Sequence, residues 1–257
     1  MVTAKIIRYN ISESFNVVRW CLAIVALAFT CVVSVAKYIQ LSDLTAITFS
    51  SLEITYLILN DTVNLTYIYL PMYLFLVCGM MFDENFGVVE VIKCQSRGKW
   101  FVGKWLTLLF YTILFFGVLL SINFMISNQV FLLSENWSGD FIKVQVMMGQ
   151  SPYNFLYTPF QMIGLSLVSV LSLYLAVGTL SLLFSILTSK EVYALVFSLI
   201  IGILTSIVFI EQLDLTKQMS LEAFMWRNGM LLGSLVVIFV VTLWMVYRRD
   251  FNTERKE

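Results

Sequence analysis

Six stretches of the chain, 20–36, 65–82, 105–127, 161–187, 193–210 and 228–247, are continuously apolar and free of Asp, Glu, Lys and Arg. Crossing the hydrocarbon core of a bilayer takes about 20 apolar residues in a helix, with a working range of about 17 to 25. Each stretch therefore predicts a transmembrane helix. Apolar residues do not alternate with polar ones, so a β-barrel is excluded as the reading of these runs. The expected fold is an all-α polytopic membrane protein with six transmembrane helices, a single transmembrane domain over residues 1–257.

Ahead of the first run the pattern changes. Ile7, Ile11, Phe15 and Val18 share one helical face, and Lys5, Arg8, Ser12, Asn16 and Arg19 share the opposite one. This predicts an amphipathic interfacial helix over 1–19, with Lys5 and Arg8 toward the headgroups and Ile11 and Phe15 in the bilayer. Periodicity alone fits a solvated cytoplasmic helix as well. A cleaved leader is the third reading, with Ser34-Val35-Ala36 as a small-residue cleavage site. The length and patterning of 1–19 argue against it.

Charge placement orients the spans. With the N-terminus inside, the cytoplasmic segments carry Lys5, Arg8, Arg19, Lys93, Arg97, Lys99, Lys104, Lys190, Arg248, Arg249, Arg255 and Lys256, which is 12 of the 16 basic residues. Only Lys37, Lys143, Lys217 and Arg227 fall outside. The positive-inside rule thus predicts both termini in the cytoplasm. The outer connections 37–64 and 128–160 are long, whereas the inner turn 188–192 is minimal, so the fourth and fifth spans form a tight hairpin. The inner segment 83–104 becomes the main cytoplasmic contact. In the outer segment 149–160, Pro152 and Pro159 are mixed with Tyr153, Phe155, Tyr157 and Phe160, which reads as an aromatic belt or a re-entrant gate.

Composition narrows the function classes. The chain is 60% hydrophobic and 12% charged, with a mean hydropathy of +0.87, and its 16 basic residues balance 16 acidic ones. Zero net charge gives no reason to expect a nucleic-acid partner. The absence of His excludes His-dependent hydrolysis, His-ligated metals and His proton relays. Cys21, Cys31, Cys78 and Cys94 have no paired spacing and read as small core hydrophobes. Pumps and many ion-coupled carriers place ionisable groups at membrane depth despite a cost of about 2.5 to 3.5 kcal/mol each. None stands within these spans, although backbone carbonyls or a side chain such as Asn123 could still coordinate an ion.

Two motifs invite over-reading. Gly98, Gly103 and Lys104 match most of a phosphate loop, but Trp105 stands where a Mg-binding hydroxyl is needed, and Trp100 and Phe101 crowd its interior. ATP binding by this chain is not expected. Gly229 and Gly233 form a G-x-x-x-G, read as a helix packing face or a dimer contact.

The inner stretch MFDENFGVVEVIKCQSRGKWFVGKWL, from Met81 to Leu106, resembles the coupling segment of type-2 ATP-binding-cassette permeases, the membrane subunits of small bacterial exporters. Glu84, Gly87, Glu90, Arg97, Gly103 and Lys104 match the family's acidic, Gly, acidic, basic and Gly-Lys positions. Gln95 replaces its frequent Pro, and Val88 its frequent Thr. The spacing of Phe86, Val89 and Ile92 independently predicts a short amphipathic helix suited to a protein groove or membrane surface.

The resemblance implies that Glu84, Phe86, Gly87, Val89, Glu90, Ile92, Arg97 and Lys104 form an ATPase-coupling segment. It implies no cofactor and no catalytic or metal site in this chain, with ATP and Mg on a separate ATPase subunit present in two copies. It further implies a second permease chain, the same or related, surrounding lipids and a bacterial plasma membrane. The expected substrate is amphipathic or hydrophobic, a peptide or lipid-like molecule. An ion-coupled secondary carrier and a non-transporting scaffold or sensor are the alternatives.

Overall fold

A computed structural model describes residues 11, 15–77, 96–147, 157–188, 191–213 and 221–248. Among them are eight α-helices and one π-helical segment: α1 Val17–Thr45, α2 Ser51–Leu59, the π segment Asn64–Tyr69 running into α3 Leu70–Val77, α4 Arg97–Val130, α5 Gly139–Met147, α6 Pro159–Thr188, α7 Glu191–Leu213 and α8 Leu221–Arg248. The chain is all-α in its described residues. Four helices are long and apolar enough to cross a membrane: Val17–Leu44, Arg97–Val130, Pro159–Thr188 and Asn228–Arg248. They coincide with the first, third, fourth and sixth expected spans.

Several boundaries differ from those the apolar runs predict. The first span continues through charged and polar residues to Thr45 and stops at Ala46, whose left-handed backbone (φ 54°, ψ 25°) ends the helix. At its start, Asn16 is extended and its side chain accepts a hydrogen bond from the Arg19 amide at 3.1 Å. Asn16 thus caps α1, and Val17–Arg19, which the pattern placed at the end of the interfacial helix, belong to α1, while residues 1–10 and 12–14 lie outside the described residues. The second and fifth expected spans contain shorter apolar helices, Asn64–Val77 and Val192–Ser206. The long connection 37–64, expected on the outer side, contains α2, and the one over 128–160 contains α5.

The π segment has an identifiable cause. Pro71 lacks an amide hydrogen and its ring crowds the carbonyl four residues back, so the helix widens just before it. The Leu65 carbonyl accepts the Leu70 amide, and it also accepts the Tyr174 hydroxyl of α6 at 2.7 Å. A backbone group disturbed by the widening is thereby satisfied.

Helix α6 is the hub. It packs against α2, α3, α4, α7 and α8, and 72% of its most apolar window is buried, against 22% to 39% for the other three long helices. Small side chains account for this: Ser166, Ser169, Ser172, Thr179, Ser181 and Ser185 are all buried, letting neighbouring backbones come close. Gly178 marks the tightest approach, since a Cβ there would overlap the Tyr73 hydroxyl and sit 2.9 Å from Leu108 Cδ1. A Cβ at Gly229 or Gly233, by contrast, meets nothing within 4 Å. The G-x-x-x-G thus makes no helix contact among the described residues.

Candidate functional site

The end of the bundle where α4 begins and α8 finishes contains the described part of the expected coupling segment. Glu84, Phe86, Gly87, Val89, Glu90 and Ile92 lie outside the described residues, as do Lys5 and Arg8. Arg97 opens α4, and its Nη1 donates to the Tyr247 carbonyl in the last turn of α8 at 2.9 Å. Gly98 lies so close to Tyr247 that a Cβ would collide with the phenol oxygen. Two turns on from Arg97, Lys104 is buried. Phe101 packs at a tilt against Phe239 of α8 at 5.3 Å, Trp105 meets the same ring edge-on at 5.2 Å, and Trp105 Nε1 donates to Thr179 of α6 at 3.1 Å. The start of α4 is therefore fastened to both α8 and α6.

The same turns dispose of the phosphate-loop look-alike. Gly98 through Trp105 lie in a continuous helix, with Trp100 and Phe101 fully buried. Their backbone forms no loop to wrap a phosphate. Nearby, Arg248 lies over the Trp244 ring at 4.1 Å, placing a cation at the C-terminal end of α8. The described part of the N-terminal segment is tied to the bundle. Phe15 stacks on Trp20, Trp20 packs on Tyr111, and the Tyr111 hydroxyl donates to the Ile11 carbonyl at 3.4 Å.

Between the ends, polar groups pair with one another. Tyr73 and Thr112 share a hydrogen bond at 2.9 Å, Asn64 donates to Ser34 at 3.1 Å, and Ser169 donates to Asn228 at 2.9 Å. Asn123 donates to the Thr55 carbonyl at 3.4 Å and accepts from Ser127 at 3.3 Å. Its carboxamide thus stitches α4 to α2. Cys31 is a free, buried thiol beside the Tyr69 hydroxyl, in keeping with a small core residue, whereas Cys21 is exposed on α1 and is not part of the core. Among the described residues no group of three or more Cys, Asp or Glu side chains could hold a metal ion.

The chain matches no family model, no curated protein and no solved structure.

At the other end of α4 sits a group that the apolar pattern did not single out. Glu53 is fully buried at the third position of α2. One carboxylate oxygen accepts the Ser50 amide at 2.7 Å, completing a capping box in which Ser50 Oγ accepts the Glu53 amide at 3.3 Å. The other accepts the Ser138 amide at 2.5 Å. Ser138 Oγ in turn accepts the Phe141 amide at 3.2 Å, capping α5. One carboxylate thus joins the N-termini of two helices 85 residues apart in sequence. Trp137 reinforces the joint by stacking on Phe141 at 5.1 Å, meeting Tyr56 edge-on at 5.4 Å, and donating to the Tyr157 carbonyl at 2.6 Å. The S-x-x-E pattern at Ser50–Glu53 was the available signal.

Burial pushes the Glu53 carboxyl above the usual carboxylate range, and the amides of Ser138 and Ser50 pull it partly back. Glu53→Gln should lower the thermal midpoint, because its amide NH2 must face a backbone N–H, a loss of about 1 to 3 kcal/mol. The pH dependence has a definite sign. A carboxyl raised in the folded state favours folding more once protonated, so the wild type gains stability as pH falls from neutral toward the unfolded value of about 4.3. The gap between wild type and Glu53→Gln should widen over that interval. Midpoints that coincide throughout contradict the clasp, and a gap that narrows contradicts the burial-raised carboxyl.

Proposed function

We propose that this chain is the membrane subunit of an ATP-binding-cassette exporter. In this reading it is a six-span protein of a bacterial plasma membrane with both termini in the cytoplasm. It pairs with a second copy or a related permease chain and with two copies of a separate ATPase. The substrate is an amphipathic or hydrophobic molecule, a peptide or a lipid-like compound. Nucleotide chemistry belongs to the partner, which carries ATP and Mg.

The observation that carries this reading is the joint between Arg97–Gly98 and Tyr247. The segment resembling a coupling helix runs directly into that joint. A push on it would act on α4 and α8 together, and through Trp105 and Thr179 on the central helix α6. Closed and open ATPase dimers, contacting this segment differently, would then bias the bundle between two arrangements. Spans without ionisable residues fit an energy source that lies outside them.

The expected result is that the chain purified alone neither binds nor hydrolyses ATP, and that an ATPase co-purifies with it from native membranes. With that ATPase in liposomes, substrate flux should require ATP. Stoichiometric hydrolysis by the isolated chain overturns the reading. So does flux that follows a proton or sodium gradient without ATP, which would favour the ion-coupled carrier.

A further inference from the structure

The outer end of the bundle contains a cavity of about 570 Å³ between α2, α4 and α6. That lies within the range of about 300 to 1,000 Å³ typical of small-molecule sites. Its deep wall is formed by Leu52, Thr55 and Ile163, all buried. Phe124, Leu133, Glu135 and Phe160 line it while remaining exposed, so they form the mouth.

The polar groups of the wall are already used by the helices that carry them. Thr55 Oγ1 donates to the Ser51 carbonyl at 2.8 Å. Thr158, the other hydroxyl residue lining the cavity, is engaged in a capping box of α6: its Oγ1 accepts the Gln161 amide at 3.3 Å, and its own amide donates to Gln161 Oε1 at 3.0 Å. Glu135 is the one charged residue of the lining, and its carboxylate forms no ion pair among the described residues. A mostly apolar pocket with a single carboxylate at its mouth is complementary to one kind of molecule.

We propose that this cavity binds the alkyl tail of a cationic amphiphile, a long-chain primary amine or an aminolipid, with its ammonium group at Glu135. The tail fills the space between Leu52 and Ile163, and the head stays at the mouth, where it keeps most of its water. Such a head adds modestly to affinity, because an exposed charge pair is weak. The tail supplies most of the binding free energy. The site stands apart from the exporter reading: binding here can fail while the ATPase still associates, and the reverse.

The experiment uses the full chain in lipid nanodiscs with a diazirine-bearing alkylamine as probe, displaced by n-alkylammonium ions and by n-alcohols of matched length. Cross-links should map to Leu120, Phe124 and Leu133. Competitor affinity should rise about fourfold per added methylene and then level off when the cavity is full. Partition into bilayer alone shows no such ceiling. Glu135→Gln should weaken ammonium ions about two- to fivefold and leave alcohols unchanged. Leu133→Trp, on an exposed loop position that does not threaten folding, should abolish saturable labelling. Labelling spread over the exposed apolar faces of α1 and α8, with affinity rising without limit, overturns the site. An unchanged ammonium-to-alcohol ratio in Glu135→Gln overturns the assignment of the head.

Discussion

Gly178→Leu is expected to leave the chain unable to hold its native bundle. A Cβ at this position already overlaps the Tyr73 hydroxyl and approaches Leu108 Cδ1 to 2.9 Å, so three further carbons have nowhere to go. Neither neighbour can step aside cheaply. Tyr73 is fully buried, bonded to Thr112 at 2.9 Å and packed edge-on against Phe115 at 5.8 Å and Tyr174 at 5.3 Å. Over-packing one or two methylenes costs about 1 to 3 kcal/mol, and a leucine here combines over-packing with loss of the Tyr73–Thr112 hydrogen bond. The sum is comparable to the roughly 5 to 15 kcal/mol by which domains are stable. Gly178→Ala gives a graded version, since better helix propensity offsets about 1 kcal/mol of the clash. Gly164→Leu and Gly117→Leu are the controls, because a Cβ at either meets nothing within 4 Å. Thermal midpoints in detergent, read by the loss of monodisperse protein, should fall steeply for Gly178→Leu, less for Gly178→Ala and little for the controls. Equal midpoints for Gly178→Leu and Gly164→Leu would show that α3, α4 and α6 do not meet here.

Charge reversal in the proposed coupling segment should separate docking from folding. Glu84 and Glu90 flank Gly87 near the expected start of a short helix, where carboxylates complement the helix N-terminus and can reach basic groups on a partner. Gly87 permits a close backbone approach that a large side chain blocks. Glu90→Lys and Gly87→Trp are expected to insert normally and to weaken ATPase association at least about tenfold, the consequence of reversing a partly exposed interfacial pair worth about 1 to 3 kcal/mol. The readout is the amount of ATPase retained on the purified chain, with Glu257→Lys as a surface control. Normal association and normal flux in both loop variants would reduce 83–104 to a solvated connector. Arg97→Ala makes a useful third arm, because Arg97 bonds to Tyr247 within the chain. If the joint transmits force, that variant should keep its ATPase and lose flux.

The apolar pattern located the long helices well and the rest of the bundle poorly. Residues 105–127 and 228–247 fall inside α4 and α8, but α4 begins eight residues earlier, at Arg97, where the side chains are basic and aromatic. Hydropathy registers only the part of a helix that is surrounded by hydrocarbon, whereas hydrogen bonding carries the helix on through polar residues until a cap stops it. For the same reason α2 and α5 were read as connections. Their start signals were present in Ser50-x-x-Glu53 and in Ser138, yet each is short, and short helices form only when their neighbours bury them. Eight of the nine residues of α2 are buried.

What the sequence determines by itself is the material of the fold. Long uncharged apolar runs must satisfy their backbone hydrogen bonds internally, which makes them helices, and the absence of His and of charges within those runs narrows the chemistry. Which of those helices becomes the hub, and what each polar residue between them does, was decided only by tertiary structure. Arg97 closes on Tyr247 150 residues away, Glu53 on Ser138 85 residues away, and Tyr174 on the Leu65 carbonyl 109 residues away. Contacts at such separations leave no period in the chain, because they depend on which helix faces come together. A cavity, formed where three helices fail to meet, leaves still less.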